Sequence, residues 1–403
     1  MKVFVILFLL ASYFPYTQIL PLSTYTQPYA FLLSGIIFGV VGWNQVKHLR
    51  QIDGLALGLL FVLGVVLFVL TCLPSPQMQE FKYLLMYIAP LMFATNYIYI
   101  HKHHRKLAKK LTERSILLWI FVGAVQLLVD PTFASFTVGE WQGSAQVVVD
   151  SGRGVIGLAP EPTHFGFHMI LMGCILLLMD GNKYLVLASI ASALLLAQSS
   201  SVLLVLMLGT SLALLTRPLL LVVFFGLVGL AVIGFEYSLF VNAGVDSRIV
   251  YLLTQFAKDP MAILSLDYSL NARLGGLIAA TIDSFQNWFL PNGITYSSWE
   301  DRSILILNKF PWLFGLSSSG WPSGYLIVIS QIGLFGVFTF FVTINRFYSV
   351  STSLTQKVLL LSGFSIFFFQ YYMSAPAFGI IYGAIAARSL RTVGTHKKRD
   401  LAG

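Results

Sequence analysis

An apolar run from Tyr83 to Ile100 delivers the chain directly into H-K-H-H-R-K-L-A-K-K-L-T-E-R, a basic segment from His101 to Arg114. A run of that length and character reads as a membrane-crossing helix, and short loops rich in Lys and Arg stay on the cytoplasmic side. The junction orients every other apolar run, since each crossing reverses the side. Only 10% of the 403 residues are charged and 57% are hydrophobic, against about 25% charged in a typical soluble protein. The expected fold is an all-α polytopic membrane protein, a single integral domain over residues 1–403. It has about 12 transmembrane helices, with the N- and C-termini both cytoplasmic.

The distribution of charge carries more information than its sum. A net charge of +9 would point toward nucleic acid or an acidic surface in a soluble chain, but here 18 of the 25 Lys and Arg fall in the expected inner loops and tails. That asymmetry is what the positive-inside rule demands, and no nucleic-acid partner is implied. Two segments are expected outside: a loop over 131–162, and a large, partly helical loop over 236–321 before a tenth span running from Tyr325 to Ile344. Apart from Lys82 at a boundary, the basic residues left outside are Arg153, Arg248, Lys258, Arg273, Arg302 and Lys309. Most of these are Arg, whose planar fork binds phosphate and carboxylate bidentately.

Cys72 and Cys174 both lie in apolar runs, so neither a disulfide framework nor a cysteine metal site is expected. The first loop ends in R-G-V-I-G-L-A-P-E-P-T-H-F-G-F-H, from Arg153 to His168. Pro162 suits the first turn of a helix, which places Glu161 at its N-cap. Glu161, His164 and His168 then follow i, i+3, i+7 spacing and share one face. Ionisable groups at the mouth of a membrane segment are functional by default. In that reading Arg153 binds an anion while Glu161 and His164 supply a proton acceptor, and the helix dipole favours negative charge at Glu161. The plainer reading makes Glu161 a helix cap and His164 a wet vestibule residue. His168, a turn deeper, reads as a hydrogen-bonded core histidine. A zinc site is weighed and set aside, because the H-E-x-x-H order is absent and no further histidine lies in an external segment.

The second loop contributes Asp267-Tyr-Ser-Leu-Asn-Ala-Arg273, followed by Arg302, with Leu270 to Phe285 expected to be helical. Tyr268, Trp288, Trp299, Trp312 and Trp321 are spaced among polar residues, as a sugar-binding surface would need or as an interfacial aromatic belt would show. A Ser/Gly cluster at Ser317 to Gly320 could present backbone N–H groups to an anion, or simply give a flexible re-entry into the tenth span.

Taken in order, R-G-V-I-G-L-A-P-E-P-T-H-F-G-F, the Ser199-Ser-Ser turn, S-L-N-A-R-L, and F-P-W-L-F-G followed by G-Y-L-I-V-I-S-Q-I-G-L-F-G resemble the motifs of Wzy-type O-antigen and exopolysaccharide polymerases. The resemblance covers Ser151 to Gly336. Thr163 stands where that family usually has Ser, and the stretch near Gly315 is Ser-rich rather than Gly-rich. The resemblance implies a metal- and cofactor-independent glycosyltransferase. Its donor and acceptor would be oligosaccharide repeat units on undecaprenyl diphosphate, joined at the outer face of the bacterial plasma membrane. Flippase and chain-length regulator proteins would be its partners, with the lipid bilayer as its medium. In this scheme Glu161 or His164 is the base, and Arg153, Arg273, Arg302, Arg248 and Asp267 hold the diphosphate and glycan. An O-antigen ligase uses the same chemistry with another acceptor. A lipid-linked oligosaccharide flippase or exporter is the competing class, although transporters tend to show repeated halves and polar or broken helices near the midplane, whereas here the ionisable residues gather at one face.

Overall fold

A computed structural model describes residues 1–19, 26–71, 78–141, 148, 154–224, 226–227, 268–313, 324–369 and 371–400. Among these residues the secondary structure is helical, with no strand. The elements are α1 (Lys2–Tyr13), α2 (Tyr29–Ile37), α3 (Gln51–Thr71), α4 (Met78–His103), α5 (Arg105–Leu128), α6 (Pro162–Leu178), α7 (Lys183–Leu195), α8 (Ser200–Leu214), α9 (Tyr268–Gln286), α10 (Tyr296–Lys309), α11 (Tyr325–Ile332), α12 (Leu334–Ser349), α13 (Leu354–Phe369) and α14 (Pro376–Asp400). From α2 the helix continues through a π-helical turn, Phe38–Gly42, into a 3₁₀ turn, Trp43–His48. Four helical stretches, Tyr29–His48, Gln51–Leu70, Tyr83–His103 and Arg105–Leu128, are long and apolar enough to cross a membrane. Shorter apolar helices include Pro162–Leu178, Lys183–Leu195, Ser200–Leu214, Leu354–Phe368 and Pro376–Leu390.

The centre of the packing is α6. Apart from His164 and Leu177, its residues are buried, because α5, α7, α8, α13 and α14 surround it. A helix that is apolar on every side is stable only in such a position or in lipid. Around it, α4 packs on α3 and α14, and α13 packs closely on α8.

Polar contacts gather the segments with inner-loop composition at one end of the bundle. Arg105 Nη2 lies 2.7 Å from Asp180 Oδ2, and Lys109 Nζ donates to the Asp180 carbonyl at 3.0 Å. Arg388 Nη2 reaches the other oxygen of Asp180 at 3.4 Å. At the same end Arg346 Nε lies 3.1 Å from Asp53 Oδ2, while Arg346 Nη2 donates to Ser389 Oγ at 2.7 Å and Tyr382 Oη donates to Asp53 Oδ1 at 3.1 Å. Asp53 is completely buried and Arg346 nearly so. A charge at such depth is tolerated only when paired, and this network supplies the pairing.

One expectation fails. The run from Tyr325 to Ile344 is not a single helix, because it breaks at Gly333 between α11 and α12. Gly333 adopts φ +60° and ψ −133°, and a Cβ there would come within 2.1 Å of the Phe289 carbonyl oxygen. Glycine alone meets both demands. The Leu334 N–H then donates to that same carbonyl at 3.0 Å, which seats the break on the turn after α9.

Candidate active site at the N-terminus of α6

From Gly154 to Pro160 the chain is buried although it forms no regular structure. Buried irregular backbone needs partners for its polar groups, and α5 provides them through one side chain. Gln126 Oε1 accepts from the Gly157 N–H at 2.7 Å, while Gln126 Nε2 donates to the Gly157 carbonyl at 2.9 Å and to the Phe133 carbonyl at 2.8 Å. The Val155 N–H donates to Leu196 O at 2.9 Å, which ties the segment to the end of α7. Gly154, at φ +81°, approaches so closely that a Cβ would lie 2.6 Å from the carbonyl oxygens of Leu196 and Ala197.

This buried segment delivers Glu161 in extended conformation at the N-cap of α6, with Pro162 in the first turn as expected. The Glu161 side chain does not cap the helix. Its Oε2 instead lies 3.9 Å from His164 Nδ1, with Glu161 about a third exposed (36%) and His164 at 14%. The imidazole stands between two tyrosine rings, Tyr16 at 5.7 Å and Tyr371 at 5.6 Å between centroids. The hydroxyls of those tyrosines bond to each other, and Tyr371 Oη also donates to the His164 carbonyl at 3.3 Å. Burial pushes the Tyr16 phenol far above its ordinary value, and the Glu161 charge adds to the rise. Thr163 Oγ1 and Ser199 Oγ are 2.8 Å apart, joining the start of α6 to the start of α8. The result is a carboxylate and an imidazole on one helical turn, backed by phenols and held by three neighbouring elements. Such a set can accept and relay a proton from a hydroxyl brought to it.

His168 lies outside that chemistry. Its Nε2 donates to the Tyr13 carbonyl at 2.9 Å, and its ring packs on Trp119 at 4.6 Å between centroids. Cys174 is likewise a core residue, its thiol facing Leu359 O at 3.3 Å.

A second polar node joins α9, α10 and α11. The buried Asp283 accepts at Oδ2 from Ser330 Oγ at 2.7 Å and from Asn292 Nδ2 at 3.0 Å, and its Oδ1 lies 3.5 Å from Arg302 Nε. Burial lowers the Arg302 guanidinium from its ordinary value, and the Asp283 carboxylate opposes that shift. Arg302 is thus held by a protein carboxylate. α13 contacts both α6 and α9. Glu161 and His164 are brought together, while Arg302 is engaged by Asp283 in the second node.

The backbone of Arg273 lies in α9, which spans Tyr268–Gln286 where Leu270 to Phe285 was expected; its side chain lies outside the described part. Arg153, Arg248, Asp267, Trp321 and the Ser317 to Gly320 cluster also lie outside the described residues. The exposed-aromatic expectation holds for Trp288 and Trp312 and fails for Trp299, which is fully buried. On the amphipathic α10 its position falls on the inward face, and spacing among polar neighbours concealed that. Tyr16 and Tyr371 carried no linear signal of their roles, while Gln126 and Asp283, as polar residues in apolar runs, signalled a partner without identifying it. Among the described residues no group of three or more His, Cys, Asp or Glu is placed to hold a metal ion.

Fold and site together define a protein that is helical throughout its described residues, with helices able to cross a membrane and a carboxylate–imidazole pair at the start of the enclosed helix α6. No family model, curated protein or solved structure matches the chain.

Proposed function

We propose that this protein is a polysaccharide polymerase of the Wzy type. It transfers a growing glycan from undecaprenyl diphosphate to the next lipid-linked repeat unit, at the outer face of the bacterial plasma membrane. The observation that carries the reading is the Glu161–His164 pair, held at the mouth of α6 by a buried loop. The ordered motifs resembling that family, and the excess of Arg among the outer basic residues, support it from the sequence.

In this mechanism Glu161 accepts the proton of the acceptor hydroxyl, with His164 beside it to share the charge. The anomeric carbon then exchanges its bond to the lipid diphosphate for a bond to that oxygen. Diphosphate departs with growing negative charge, which Arg153 and Arg273, with Arg248 or Arg302 in support, stabilise through preplaced forks. Asp267 orients the glycan. The about 12 spans and cytoplasmic termini of the proposed topology put this mouth outside, where the donor must be lipid-linked because nucleotide sugars are absent.

The test is Arg153→Ala, Glu161→Ala and Arg273→Ala in cells that make the polymer, at matched protein level. Loss of one transition-state donor in comparable sites costs about two to three orders of magnitude in rate. Full-length chains from all three variants would overturn the site.

A further inference from the structure

A cavity of about 420 Å³ opens at the end of the bundle where the 3₁₀ turn Trp43–His48, α4 and α14 converge. Among the described residues its walls are of two kinds. Ile98, Ala387 and Leu390 form an apolar side, and His48, His101 and Lys102 form a basic one. No carboxylate lines it among the described residues. A neighbouring cavity of about 410 Å³ differs on this point, since Arg50 and Arg346 share its wall with Asp53. There the protein supplies its own counter-charge; in the first cavity the described lining adds no carboxylate beside Lys102.

We propose that the first cavity binds the phosphate-bearing head of an anionic phospholipid. The volume lies within the ordinary range of a small-molecule site. Lys102 and His48 can donate to phosphate oxygens, and Lys102 supplies a fixed positive charge. The apolar half argues for a lipid over a free anion, because Leu390 remains 44% exposed and inorganic phosphate would cover none of it. A glycerol backbone and the first methylenes of an acyl chain would. The position fits as well: His101 and Lys102 stand in the last turn of the membrane-length stretch Tyr83–His103, at the depth of headgroups. This site is independent of the glycosyltransferase reading.

The test uses the full-length protein in neutral detergent, with dihexanoyl phosphatidylglycerol, dihexanoyl phosphatidylcholine and inorganic phosphate as probes, and bound species counted by native mass spectrometry. The phosphatidylglycerol probe should bind about fivefold more tightly than the phosphatidylcholine probe. His48→Gln combined with Lys102→Ala changes residues that are not fully buried, so the fold should persist. At roughly fivefold for the Lys102 charge near an anionic headgroup, it should weaken phosphatidylglycerol by about fivefold. Lys110→Ala removes an exposed charge of α5 outside the cavity, and should change affinity less than twofold. Unchanged affinity in the double variant would overturn the site. An equal loss in Lys110→Ala would show a diffuse basic surface instead, and inorganic phosphate binding as tightly as the lipid would overturn the lipid assignment.

Discussion

Glu161 Oε2 and His164 Nδ1 lie 3.9 Å apart across the first turn of α6, where the carboxylate makes no helix-capping bond. The acidic residue at an N-cap would ordinarily satisfy the orphan N–H groups behind it. Here it turns toward an imidazole fixed between Tyr16 and Tyr371. If the pair performs base catalysis, Glu161→Gln should lower polymerisation by about two to four orders of magnitude. Protein abundance and melting temperature should stay near wild type, since no cap is lost. Chain length on gels and melting in detergent check the two halves separately.

Gln126 predicts a structural effect at the same site. It satisfies both polar groups of the Gly157 peptide and the carbonyl of Phe133. Gln126→Leu keeps the volume but leaves those buried groups without their partner, at about 1–3 kcal/mol for each unsatisfied group. Both melting temperature and activity should fall together, in contrast to Glu161→Gln. A variant with full stability would mean that the loop does not depend on α5.

Arg302 and Asp283 should behave as a coupled pair. Breaking a buried ion pair by removing one partner costs about 3–5 kcal/mol, and Arg302 is a fifth exposed, so the lower end or less is expected for Asp283→Ala. The double variant with Arg302→Ala should be less destabilised than the sum of the single changes, by about 1 kcal/mol or more. Denaturation of all four proteins measures the difference. Additive losses would free Arg302 from a structural role and strengthen its place in substrate binding.

Asp53 and Arg346 offer a parallel case at the other end of the bundle. Asp53→Asn alone leaves Arg346 buried without its counter-charge, and should destabilise by about 3–5 kcal/mol. Replacing both by apolar residues, Asp53→Leu with Arg346→Met, should recover most of that loss. Melting curves in one detergent suffice to compare them.

Much of this was readable in the residues and some was not. Pro162 announced the start of α6, and the periodicity of Leu270 to Phe285 announced α9, because both signals are local. The break at Gly333 gave no such signal: Q-I-G-L-F-G reads as continuous apolar helix, and only the close Phe289 carbonyl makes a bend favourable there. Polar residues in apolar runs, such as Asp53, Gln126 and Asp283, announce that a partner exists. Which partner depends on helix packing, which spacing along one chain does not encode. Trp299 shows the converse, since polar neighbours in sequence did not keep it at the surface.

The central claim is best tested with purified protein and one defined repeat unit on undecaprenyl diphosphate, in detergent, without nucleotide sugar. Mass analysis of the lipid-linked products should show a ladder of added repeat units with release of undecaprenyl diphosphate, abolished by Glu161→Gln. Movement of the same substrate across reconstituted vesicles without any new glycosidic bond would contradict the account.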